Sequence, residues 1–208
     1  MVDFYGGASP LTLLCPIKNG SEGDRSYASA TREYLQSLDE LLMSPLSKVP
    51  ETYLCRFYIL NDVFFEGLPA KEDQLKSKYL VFCCNYHGSL DEYLKGFWLN
   101  AEDTAKAIWK HCVAFESVND CQSFTDYIKR CEVQTTFFFN GSNGRPLREQ
   151  LKALFLKQEF TKFAVNNQGK SAAQLKQAFS EFIEQSKPGD LSYPTWEPGM
   201  KSFESSAS

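Results

Sequence analysis

Residues 78–94 read KYLVFCCNYHGSLDEYL. The first part, YLVFCCNY, is apolar and aromatic and fits a strand over 79–86. Gly88 breaks it. Ser89-Leu90-Asp91-Glu92 then has the spacing of a capping box: the Ser89 hydroxyl can take an amide proton and Glu92 can reach back. A helix follows, with Leu90, Tyr93, Leu94 and Phe97 facing the core. Side chains alternate across a strand, so Tyr79, Val81, Cys83 and Asn85 share one face and Leu80, Phe82, Cys84 and Tyr86 the other. The adjacent cysteines therefore point apart and cannot clamp one metal ion.

Working outward, LTLLCPI (11–17) reads as an opening strand, and KNGSEGD as a turn. Tyr27, Ala30, Tyr34, Leu38, Leu41 and Leu42 recur at helical spacing, and Pro45 and Pro50 end that helix. YLCRFYIL (53–60) is a second strand. No long helix separates it from 79–86, so the two are expected to be antiparallel neighbours. Asn100 with Glu102 and Asp103 marks a second helix start, carrying Ala105, Ile108 and Trp109. HCVAFE (111–116) reads as a fourth strand. Strand, helix, strand, strand, helix, strand is the ferredoxin-like order in an α+β protein.

Beyond residue 118 the pattern continues as an elaboration. CQSFTDYIKRCE is a helix with Phe124, Tyr127 and Ile128 on one side. VQTTFFFN (133–140) reads as a fifth strand. Pro146 opens a helix lined by Leu147, Leu151, Leu154 and Phe155. Gly169 separates it from a last helix with Leu175, Ala178, Phe179, Phe182 and Ile183. The chain thus divides into a core over 8–118, a strand-plus-helices elaboration over 119–187 packed on it, and an extended or disordered tail over 188–208, with Trp196 placed to pin part of the tail.

The chain has 208 residues, 43% hydrophobic and 14% aromatic, with 17 phenylalanines and a net charge of −4. That supports a real core or an aromatic cavity. Basic residues form no stripe, which argues against nucleic acid. No apolar run reaches the roughly 20 residues of a membrane span. No basic leader precedes the first apolar run, so export is not expected. The seven cysteines match no zinc spacing and sit mostly in apolar segments, as small hydrophobes do. The sequons at Asn19 and Asn140 then read as turns, and the compartment as a reducing cytoplasm.

Four residues stand out as chemistry. Arg56 is a charge in the middle of an apolar strand, on one face with Leu54, Tyr58 and Leu60. An arginine there is either a snorkelling surface residue or a fixed cation that orients an anionic group. Tyr58 and Asn85 can supply polar contacts to the same ligand. His111 is the candidate acid/base or iron ligand, against the plainer reading of a satisfied structural histidine. With two histidines in the chain, a histidine-rich metal site is not expected. His87, at a loop tip, is assigned no role. Phosphate-binding and nucleophile-elbow motifs are missing.

Together, LTLLCPIKNG, Thr52-Tyr53-Leu54-Cys55-Arg56-Phe57, FCCNYHGSLDEYL and Ile108–Cys112 resemble an uncharacterised bacterial family. The strand-entry and turn motifs are also similar to those of dye-decolourising peroxidases and other dimeric α+β barrel proteins. That resemblance implies a ferredoxin-like sheet over a cavity, haem or a small apolar molecule as possible occupants, and a homodimer. Two positions depart from the pattern: Tyr53 stands where the motif has histidine, and His87 where it has aspartate. The peroxidase set of distal Asp/Arg and proximal histidine has no counterpart here, and a fold does not carry an activity with it.

Two functions follow as expectations. One is a small-molecule binding protein or oxidoreductase, with a cavity over the sheet served by Arg56, Tyr58, Asn85 and His111. The other is a non-catalytic interaction module whose aromatic sheet face is a dimer interface. Thiol redox chemistry at Cys83 or Cys84 is a third and weaker reading.

Overall fold

The computed structural model describes residues 7–63, 67–69 and 74–200. The chain is α+β. Strands β1 (Ala8–Pro16), β4 (Thr52–Leu60) and β5 (Tyr79–His87) form an antiparallel sheet in the order β1-β5-β4. The central strand is therefore the stretch that carries the adjacent cysteines. The KNGSEGD turn is a miniature hairpin, β2 (Ser21–Glu22) with β3 (Arg25–Ser26). Helix α1 (Tyr27–Ser37) follows directly, capped by the Ser26 hydroxyl. It stops at Leu38, short of Leu41 and Leu42, which remain part-exposed.

Helix α2 (Leu90–Trp109) begins at Ser89, whose side chain accepts the Glu92 amide. The Glu92 carboxylate accepts a hydrogen bond from the Ser89 hydroxyl at 2.9 Å, so the reciprocal pair closes through the side chain. The second helix start expected at Asn100 survives as a kink: Ala101 has φ −144° and ψ 36° inside α2. Helix α3 (Cys121–Cys131) is capped by Asp120.

One face of the sheet is the core. Leu11, Leu13 and Cys15 of β1 and Leu80, Phe82, Cys84 and Tyr86 of β5 are buried there, with Phe57 and Ile59 of β4 beside them. Tyr93, Leu94, Phe97, Ile108 and Trp109 of α2 close over them, as do Phe124, Tyr127 and Ile128 of α3. Aromatic rings interlock at the centre: Phe82 lies 4.5 Å from Phe57 and 5.9 Å from Trp109. Burial of rings this size supplies most of the apolar stabilisation of such a layer.

The fourth strand is not formed, which corrects the expectation for 111–116. After α2 the chain turns, Cys112 makes a single antiparallel bridge to Ile17, Ala114 takes a left-handed φ of 64°, and Phe115–Ser117 is a short 3-10 helix. A residue with positive φ cannot continue a strand ladder. The fifth strand at 133–140 is also missing. Glu132 bridges Leu13, but the aromatic run beyond finds no partner strand, and Phe137 and Phe139 lie 82% and 74% exposed. Both segments flank the free edge of β1 and touch it at one point each.

Helices α4 (Leu147–Asn166) and α5 (Ala172–Ser186) form a hairpin. Phe160, Phe163, Phe179 and Phe182 pack among themselves across it. The expected core face of α4 is not buried: Leu154 is exposed, and Lys152 is the buried residue instead. The Lys152 ammonium donates to the carbonyls of Ser186, at 2.8 Å, and Pro194, at 2.7 Å. It ties the end of α5 and the following segment to α4, where unpaired helix carbonyls favour a cation. Trp196 donates to Gln158 at 3.1 Å and pins the same segment.

Candidate functional site

Three of the four predicted site residues share one surface. The face of the sheet opposite the core is an array three strands wide. In register across it lie Leu54–Asn85–Pro10, Arg56–Cys83–Thr12, Tyr58–Val81–Leu14 and Leu60–Tyr79–Pro16. Helices α1, α2 and α3 feed the core on the other side. Leu54 is 56%, Tyr58 47% and Leu14 36% exposed. Val81, near the centre, is buried. Arg56 is the single charge of the array, is exposed, and has no ion-pair partner among the described residues. At the edge of β4, Arg56 and Leu54 also border an open groove of about 490 Å³ shared with Leu35, Leu38 and Leu46.

His111 is elsewhere. Its backbone carbonyl accepts the Lys18 amide at 2.9 Å, which ties the turn after α2 to the end of β1. The imidazole is 8% exposed and stacks on Tyr27 with centroids 4.3 Å apart. Lys18, Ser21, Glu22, Tyr27 and Lys110 complete a pocket of about 230 Å³ around it. Glu22 Oε2 lies 3.2 Å from His111 Nε2 and 3.1 Å from Lys110 Nζ. The contact to His111 is at ion-pair distance, and the buried Nε2 has no other polar partner. Burial pushes the His111 pKa below its usual value, helped by the Lys110 charge and opposed by Glu22. Glu22 is held below the usual carboxylate range by its hydrogen bond to Lys110.

His111 and the Arg56 group are therefore two sites, not one. Haem does not fit the His111 pocket: it is smaller than the ~300–1,000 Å³ of ordinary ligand sites, and Tyr27 and Glu22 cover the ring. Among the described residues no three or more of His, Cys, Asp and Glu are placed to hold a metal ion.

The two positions that depart from the peroxidase-like motif touch each other. A register shift between Thr52 and Leu54 makes Tyr53 a bulge residue, and bulges re-aim side chains. Its hydroxyl lies 2.8 Å from His87 Nδ1 and donates to the Arg145 carbonyl at 2.7 Å. One hydroxyl proton serves one acceptor, so His87 Nδ1 is the donor to Tyr53. His87 was assigned no role from its place at a loop tip; the structure gives it this one. Desolvation, with Glu51 nearby, raises the Tyr53 pKa to about 12.

The thiols divide as alternation requires. Cys84 is buried in the core, with its pKa raised by desolvation, and Cys83 lies on the outer face. Sequence reading did not foresee that Cys15, Cys112 and Cys131 meet in the core. Cys15 is pushed up to about 12, first by hydrogen bonding with Cys112 and then by burial. Thiols held protonated in this way are poor nucleophiles. No family model, curated protein or solved structure matches the chain.

Proposed function

We propose that this protein is a non-catalytic interaction module that docks the outer face of its sheet on a second copy of itself. The observation that carries the reading is the exposure of Leu14, Leu54 and Tyr58 on the outer face, with Arg56 as its single charge. A solvated antiparallel face is mostly polar; this one sets Leu54, Val81, Leu14 and Leu60 among Arg56, Thr12 and Asn85. Self-association suits the layout because Arg56 lies off the centre of the array. Two-fold packing about that centre sets Arg56 against Thr12 or Tyr58 of the partner subunit, not against its twin, so like charges do not oppose. We read the frame as ferredoxin-like without its last strand, since β1-β5-β4 is the expected order for three strands of that fold.

Three strands about 4.8 Å apart and seven residues at ~3.4 Å give a patch of roughly 10–15 by 20–25 Å. That is below the ~800 Å² per partner of a standard interface, so the dimer should be of the weak, micromolar class. Cys83 sits at the centre of the patch and offers the test. A short bismaleimide cross-linker added at about 100 µM protein, a concentration suited to micromolar affinity, should give a covalent dimer that Cys83→Ser abolishes. A cross-linked dimer that survives Cys83→Ser would place the contact on another surface.

A further inference from the structure

The pocket around His111 is lined by two lysines and one carboxylate, and that carboxylate already shows what fits there. Glu22 Oε2 sits between Lys110 Nζ at 3.1 Å and His111 Nε2 at 3.2 Å. The Lys18 and Ser21 side chains line the same space, and Lys18 itself pairs with Glu116 at the rim, at 2.6 Å. Glu22 is carried on a two-residue hairpin, β2 with β3, turned by Gly23 at φ 62° and held by two cross-strand pairs. Its side chain is 59% exposed. It can swing away at little cost, while His111 stays fixed by the Tyr27 stack and the Lys18–His111 backbone bond. His111 Nε2 is buried and has no polar partner besides Glu22, and such a group is costly to leave unpaired.

We infer that this pocket is a binding site for a small oxyanion, a phosphate or carboxylate group, which displaces Glu22 and takes hydrogen bonds from His111, Lys110 and Ser21. Glu22 is an internal competitor that closes the site when no anion is bound. With Lys18 paired to Glu116, displacing Glu22 leaves the Lys110 ammonium facing the pocket without a carboxylate, which suits an anion and not a cation. The site lies apart from the outer sheet face and does not depend on self-association.

With two histidines in the chain, proton NMR of the imidazole Hε1 signals reads the site directly, and His87→Gln assigns them. Wild type and Glu22→Gln are titrated with sodium phosphate, and in a second arm with sodium acetate, against sodium chloride at equal ionic strength. The His111 signal should move saturably with phosphate or acetate and not with chloride. Glu22→Gln should bind about three- to tenfold more tightly, since a competing charge contact is gone. Lys110→Met should weaken binding in a chain that still gives the folded spectrum. The His111 pKa should rise on saturation, because an anion favours the imidazolium. Phosphate alone acting assigns a phosphate group as the ligand; acetate acting equally assigns any oxyanion. A His111 signal that does not move saturably in either protein, or moves equally with chloride, overturns the inference.

Discussion

The two faces of the central sheet are built from the same three strands and end in opposite conditions. Inward, Leu80, Phe82, Cys84 and Tyr86 are buried under α2 and α3. Outward, on the neighbouring strand β4, Tyr58 and Leu54 stand half exposed beside Arg56. Period-two alternation decides which side chains share a face; whether a face is covered depends on where the helices go. Here both crossings, α1 and α2, return on the inner side. Among the described residues, no helix of the core packs on the outer face, where Leu54, Tyr58 and Leu14 stay exposed, and that difference carries the functional reading.

The sharpest way to break the comparison is to truncate one ring on each face. Phe82→Ala should lower folding stability by ~3–5 kcal/mol, the range for a buried aromatic. Tyr58→Ala should cost the isolated chain less than about 1 kcal/mol. Urea melts at low protein concentration compare them, and equal losses would mean that the outer face is covered. A smaller effect follows from the start of α2, the helix that covers the inner face. Ser89→Ala removes its cap and should cost about 1 kcal/mol in the same melts, without changing self-association. A loss of self-association instead would couple the two faces.

The smallest effect is expected from pH. The folded His111 has a pKa below its ordinary value of 6.5, so protons favour the unfolded chain. Its contribution to stability is whole above pH about 6.5 and fades as pH falls through the lower folded value. Phosphate-free urea melts between pH 7.5 and 5 should show wild type losing more stability than His111→Gln. The reverse order would mean that Glu22 outweighs burial.

Much of the frame was legible from residues. YLVFCCNY and YLCRFYIL are bounded apolar runs, and their antiparallel pairing followed from the missing helix between them. The start of α2 followed from Ser89 and Glu92, and its break near Asn100 returned as the Ala101 kink. HCVAFE failed because alternation does not supply a partner: one bridge to Ile17 forms and Ala114 turns left-handed. VQTTFFFN failed for the same reason: beside the free edge of β1 only the preceding Glu132 bridges it, and the aromatic run does not pair. In the site, alternation puts Arg56 and Tyr58 on one face of their strand and Asn85 on one face of the next, and the pairing register that joins the two faces comes from the structure. His111 was singled out, but its partners Glu22 and Tyr27 lie more than 80 residues away, and no local pattern connects them. The Tyr53–His87 contact was hidden because the bulge that aims Tyr53 breaks the alternation used to read the strand.

The central claim is that the outer face is an interface between copies. Sedimentation velocity of wild type and of Leu54→Glu/Tyr58→Glu, from about 5 to 200 µM to bracket micromolar affinity, tests it most directly. Both substituted positions are half exposed, so the double variant should fold. Wild type should approach twice the 23.7 kDa chain mass with rising concentration, and the double variant should stay at the single-chain mass throughout. A wild type that remains a single chain at about 200 µM, or a double variant that associates as strongly, contradicts the account.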